Sequence, residues 1–85
     1  MPLDFHNFLE RGKNVPLAIE FYGKSINGSL YLSGWSDTSA CFAVTYNQYY
    51  QGYLIYRKGN WKAEKIKDKQ LIEILGRVVE EFYNN

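Results

Sequence analysis

The dipeptide Asn27-Gly28 stands between two stretches of alternating apolar and polar residues, and the alternations agree across it. Asn-Gly favours a two-residue type I′ hairpin, because both turn residues need positive φ. Such a turn pairs Ile26 with Ser29, Lys24 with Tyr31, Tyr22 with Ser33 and Glu20 with Trp35. Leu17, Ile19 and Phe21 then share a face with Leu30 and Leu32. Ala18, Glu20 and Tyr22 share the other with Tyr31, Ser33 and Trp35. When turn chemistry and hydrophobic pattern give one register, the sheet is specified.

Further strands follow. Cys41 to Asn47 alternates, with Phe42, Val44 and Tyr46 on one side and Cys41, Ala43 and Thr45 on the other. NQYYQG, residues 47–52, reads as a turn carrying two tyrosines. Tyr53 to Lys58 and Trp61 to Lys65 form a second hairpin, turning on Lys58-Gly59 or Gly59-Asn60. Either turn puts Leu54, Tyr56, Trp61 and Ala63 on one face and Tyr53, Ile55, Lys62 and Glu64 on the other.

Helical patterns flank the strands. Leu3 to Arg11 reads as a short helix, capped by Asp4, with Leu3 stapled to Phe8 and Gly12 as terminator. From Asp68 the hydrophobic period changes to 3.6. Leu71, Leu75, Val78 and Phe82 make a stripe that Ile72, Ile74 and Val79 widen. The expected fold is α+β: a short N-terminal helix, a four- to five-stranded antiparallel meander, and a C-terminal amphipathic helix packed on one sheet face.

At 85 residues the chain is expected to form one domain over residues 1–85. Net charge is +1, so no global field drives nucleic-acid or membrane binding. One cysteine, Cys41, excludes an internal disulfide and a cysteine-rich metal site. The start MPLDFHNFLERGK lacks a basic, apolar leader, and no apolar run approaches membrane-spanning length. A cytoplasmic protein is expected.

Catalytic patterns are weak. The one histidine, His6, lies far along the chain from Cys41, the carboxylates form no pair or metal cluster, and no phosphate-cradling glycine loop exists. No enzyme, metal or cofactor is expected. Composition points instead to surface recognition. Aromatic residues make up 18% of the chain, and five of its eight tyrosines lie between Tyr46 and Tyr56. Tyr22, Tyr31, Trp35 and Tyr53 on the second sheet face, with Tyr49 and Tyr50 in the turn, form the candidate surface for a protein partner or a second copy. Phe5, Phe8 and Leu9 of the N-terminal helix could instead cover that face. A second reading uses the basic run, six of ten cations within residues 57–69. Arg57, Lys58, Lys62 and Lys65, interleaved with aromatics, could hold single-stranded nucleic acid by phosphate contact and base stacking.

Overall fold

A computed structural model of the chain describes residues 7–84. Its elements run α1 (Asn7–Arg11), β1 (Asn14–Phe21), β2 (Lys24–Trp35), β3 (Ser39–Tyr46), β4 (Tyr49–Arg57), β5 (Asn60–Glu64) and α2 (Lys69–Asn84). The five strands form one antiparallel sheet in the order β1-β2-β3-β4-β5, a meander. The C-terminal helix α2 packs on one face of it. The expected start of the first helix, with its Asp4 cap and Leu3 staple, lies outside the described residues.

Three of the four strand connections are two-residue turns with positive φ at both positions. These are Tyr22-Gly23 (+50° and +77°), Asn47-Gln48 (+52° and +76°) and Lys58-Gly59 (+51° and +83°). Primed turns of this kind match the right-handed twist of paired strands. Asn27-Gly28 is not among them. It lies inside β2, and the first hairpin turns five residues earlier, pairing Ile19 with Ile26 and Val15 with Leu30. The expected register is therefore wrong: Glu20 pairs with Ser25 rather than with Trp35, ten residues further along. Ten is even, so the expected faces of Leu17 to Phe21, Leu30 and Tyr31 survive, while Lys24 and Ile26 change sides.

Two observations explain why the earlier turn wins. A turn at Asn27 would send Ile26 to the second face, whereas the observed turn buries it at 6% exposure. Gly28 is also occupied by another task. A Cβ there would lie 1.9 Å from the Thr45 carbonyl oxygen, so β2 and β3 approach at that point only because position 28 lacks a side chain. Asn47 secures the crossing: its Oδ1 accepts from the Asn27 amide (3.2 Å) and its own amide donates to the Asn27 carbonyl (2.8 Å).

The core lies between sheet and helix. Val15, Leu17, Leu30, Leu32, Phe42, Val44, Leu54 and Tyr56 meet Leu71, Leu75 and Val79. The α2 stripe is centred on Leu71, Leu75, Val79 and Tyr83, rather than running through Val78 and Phe82, which are only partly buried. Tyr83 is fully buried, packs against Phe8 (4.7 Å between ring centroids) and donates from its hydroxyl to the Gly12 carbonyl (2.8 Å). Asp68 caps α2, its Oδ1 accepting from the amides of Gln70 (2.9 Å) and Leu71 (3.2 Å). Gly76 lets α2 approach β5, for a Cβ there would sit 2.6 Å from the Trp61 ring. Trp61 is held in place by a hydrogen bond from its Nε1 to Glu80 Oε2 (2.8 Å).

Candidate functional site

The sheet face opposite α2 is the candidate site. No described element covers it. Its centre is a row of directly paired residues, Asn14–Tyr31–Ala43–Tyr53–Glu64, crossing all five strands. On β3 the outward residues are Cys41, Ala43 and Thr45, all small and half-buried. Tyr31 on β2 and Tyr53 on β4 flank Ala43. Strand spacing sets their backbones about 10 Å apart. The result is a shallow trough along β3 with tyrosine walls.

The β4 wall is thicker. A bulge shifts the β3–β4 register between Val44 and Thr45, so Thr45 pairs with Tyr50 and Gln51 is skipped. Tyr50 thus reaches the same face, with its ring edge-on to Tyr53 at 5.8 Å. The Lys65 ammonium lies 5.6 Å from the centre of the Tyr50 ring, within cation–π range. Partial desolvation, and then the adjacent Tyr53, push the Tyr50 hydroxyl pKa above its usual value. Ile55 extends the wall beside Cys41, paired on its far side with Lys62. Tyr31 and Tyr50 remain 48% and 49% exposed. If these two and Tyr53 each show about half a ring's surface, the patch reaches roughly 200–400 Å², the scale of a monomer's largest and often functional patch.

Three members of the expected surface do not join this face. Trp35 lies beyond a second bulge, between Leu32 and Gly34, and pairs with Ala40. The extra residue reverses the alternation, so Trp35 turns to the helix side. There it meets Phe8 edge-on at 5.7 Å, beneath the Lys13 ammonium. Tyr22 occupies the first turn. Its ring packs on Phe21 and its hydroxyl donates to Gln70 Oε1 at the start of α2. Tyr49 is 71% exposed and pairs with Tyr46, on the helix side of the sheet. NQYYQG is therefore no loop: only Asn47-Gln48 turns, and both tyrosines belong to β4. Phe8 sits in the core against Phe42 and Tyr83, so it does not cover the open face.

The basic residues divide as well. Arg57 and Lys62 fall on the open face by register, and Lys65 lies against Tyr50. Lys58 is in the last turn. Glu64, beside Tyr53, interrupts this group with negative charge.

Sequence reasoning missed a groove on the other side of the β5 edge. It has a volume of about 430 Å³ and runs between Trp61 and Ala63 on β5 and Ile72 on α2. Lys67 and Lys69 rim it. The sequence signal was available in Gly76, which draws the helix towards β5, and in the lysines between β5 and α2.

Among the described residues, no group of three or more His, Cys, Asp or Glu is placed to hold a metal ion, and no helix is long and apolar enough to cross a membrane. The chain matches no known protein family, no curated protein and no solved structure.

Proposed function

We propose that this protein is a small non-catalytic binding domain that meets another protein surface, in its simplest form a second copy of itself, through the open sheet face. The carrying observation is the trough of Cys41, Ala43 and Thr45 between Tyr31 and the Tyr50–Tyr53–Ile55 wall, on a face that no described element covers. Tyrosine offers contact area with a polar tip at low entropic cost, which suits such a role. The face is also charged in a self-complementary way. Glu20 lies at one end of β1, and Lys65 lies beyond the corresponding end of β5. A two-fold axis parallel to the strands lays each over the other in a face-to-face pair. The cytoplasm, where Cys41 stays reduced, is the compartment this reading assumes.

The test is sedimentation velocity over a concentration series. Wild type should self-associate, and Tyr31→Ala/Tyr53→Ala should weaken association about tenfold or more while remaining folded, since interface aromatics carry much of the binding energy. A wild type that stays monomeric throughout would contradict the reading.

One observation favours a second reading, single-stranded nucleic-acid binding. Arg57, Lys62 and Lys65 all lie along the Tyr50–Tyr53–Ile55 wall. Against it, Lys65 already covers one side of Tyr50, where a base would stack, and Glu64 stands beside Tyr53. Titration with a labelled oligonucleotide at two salt concentrations separates the readings. Phosphate binding makes affinity fall with salt, and each of Arg57→Ala, Lys62→Ala and Lys65→Ala should then reduce that salt slope by about one unit.

A further inference from the structure

The two edges of the sheet are prepared differently. In an antiparallel pair, alternate residues direct their backbone groups towards the partner and the others direct them away. The residues flanking a two-residue turn form a hydrogen-bonded pair. On β1 this pattern points Asn14, Pro16, Ala18 and Glu20 away from β2. The Leu32 amide donating to the Lys13 carbonyl at 2.8 Å continues the same phase. Pro16 has no N–H to offer, so the β1 edge is interrupted where an added strand would bond.

On β5 the pair flanking the Lys58-Gly59 turn is Arg57 and Asn60. Lys62 and Glu64 then bond to β4, and the N–H and C=O groups of Trp61 and Ala63 point out from the sheet. Neither position is proline. The same two residues send their side chains to the helix side, into the groove of about 430 Å³ whose far wall is Ile72. Lys67, Lys69 and Glu73 line the groove with them, and Lys62 borders it from β5 with its side chain on the open face. An outward backbone ladder, an apolar floor and a surplus of positive charge coincide at one edge.

We propose that the β5 edge is a docking site for an extended, acidic peptide segment of another protein, which adds as a sixth strand. Backbone bonds to Trp61 and Ala63 hold it. Its side chains alternate: one set enters the groove over Trp61, Ala63 and Ile72, and the other lies on the open-face side. Apolar residues suit the groove positions. Carboxylates suit the other set, which passes Lys62 on the open face, and the peptide end that meets Lys67 and Lys69 before α2. This site is separate from the tyrosine face and does not depend on its role.

The experiment uses three blocked octapeptides: one alternating valine with glutamate, its valine–lysine counterpart, and the acidic peptide with proline at alternate positions. Binding is followed by amide chemical shifts, and hydrogen exchange is measured at the Trp61 and Ala63 amides. The acidic peptide should bind, slow exchange at those two amides, and shift Ile72. The lysine and proline peptides should each bind about tenfold more weakly or worse, for want of charge complementarity and of backbone donors. Lys67→Glu/Lys69→Glu, with both substitutions at exposed positions, should keep the circular dichroism spectrum and lose about tenfold in affinity for the acidic peptide. Equal binding of acidic and basic peptides, no slowing at Trp61 and Ala63, no effect of the charge reversal, or pairing of β5 with a second copy in place of the peptide would each overturn the proposal.

Discussion

The covered and open faces of this sheet are built from the same five strands on alternate residues, yet they differ most where they share a strand. On β3 the helix side presents Ala40, Phe42 and Val44, all buried. The other side of the same strand presents Cys41, Ala43 and Thr45, all half-buried. Phe42 and Val44 fill the space beneath α2, while the small residues on the other side leave a trough that flanking tyrosines and Ile55 enclose. One face is packed to be closed, and the other is shaped without being filled.

The largest effect should come from the covered face. Leu75 is fully buried at the middle of α2, above the sheet. Leu75→Ala should cost about 2–5 kcal/mol by denaturant unfolding, as large-to-small changes do in packed cores. A midpoint equal to wild type would remove the distinction between the faces.

Gly28→Ala should rank next. The added methyl meets backbone, the Thr45 carbonyl, which cannot turn aside as a side chain can. Overpacking of this kind costs about 1–3 kcal/mol. The turn assignment gives a smaller and sharper contrast. Gly23, at φ +77°, should cost about 1–2 kcal/mol as alanine, because a left-handed backbone is unfavourable for a residue with a Cβ. Asn27→Ala, in an exposed strand position, should change stability by under about 0.5 kcal/mol. A hairpin turning at Asn27-Gly28 would reverse that order.

These turn variants bear on how far the sequence could be read. Face membership was legible on β1, β3, β4 and most of β2, because any two-residue turn pairs odd with even residues and preserves the alternation. The position of the turn was not legible. Asn-Gly has the stronger turn chemistry, but Tyr22-Gly23 adds Ile26 to the core and leaves Gly28 for the close crossing with β3. Alternation alone puts Trp35 on the wrong face, because a bulge leaves no mark in a hydrophobic pattern, although Gly34 beside it is a hint. Tyr83 is not legible as core, because a tyrosine near the end of a helix reads as amphipathic. Only the approach of Phe8 and the Gly12 carbonyl shows why it is buried. Of the candidate site, Tyr31, Tyr53 and their neighbours on β4 could be read directly. Tyr50 needed the bulge between Val44 and Thr45.

Tyr83 gives a smaller effect, confined to alkaline pH. Burial raises its hydroxyl pKa to about 12 from the ordinary value of 10.0, so the folded state keeps a proton that the unfolded chain releases first. Its contribution is therefore fully present below pH 10 and is lost as pH rises towards 12. Unfolding midpoints should fall across that window in wild type by more than in Tyr83→Phe. Equal slopes would show that Tyr83 is not buried in its neutral form. The open face contributes little to stability: Tyr31→Ala, at 48% exposure, should stay within about 1 kcal/mol of wild type by denaturant unfolding.

The most direct test of the open face as a docking surface is an amide NMR dilution series of the wild-type protein. Concentration-dependent shifts should cluster at Tyr31, Ala43, Thr45, Tyr53 and Ile55, and should vanish in Tyr31→Ala/Tyr53→Ala. Spectra that do not change on dilution, or that change only at Trp61 and Ala63 on the β5 edge, would contradict the account.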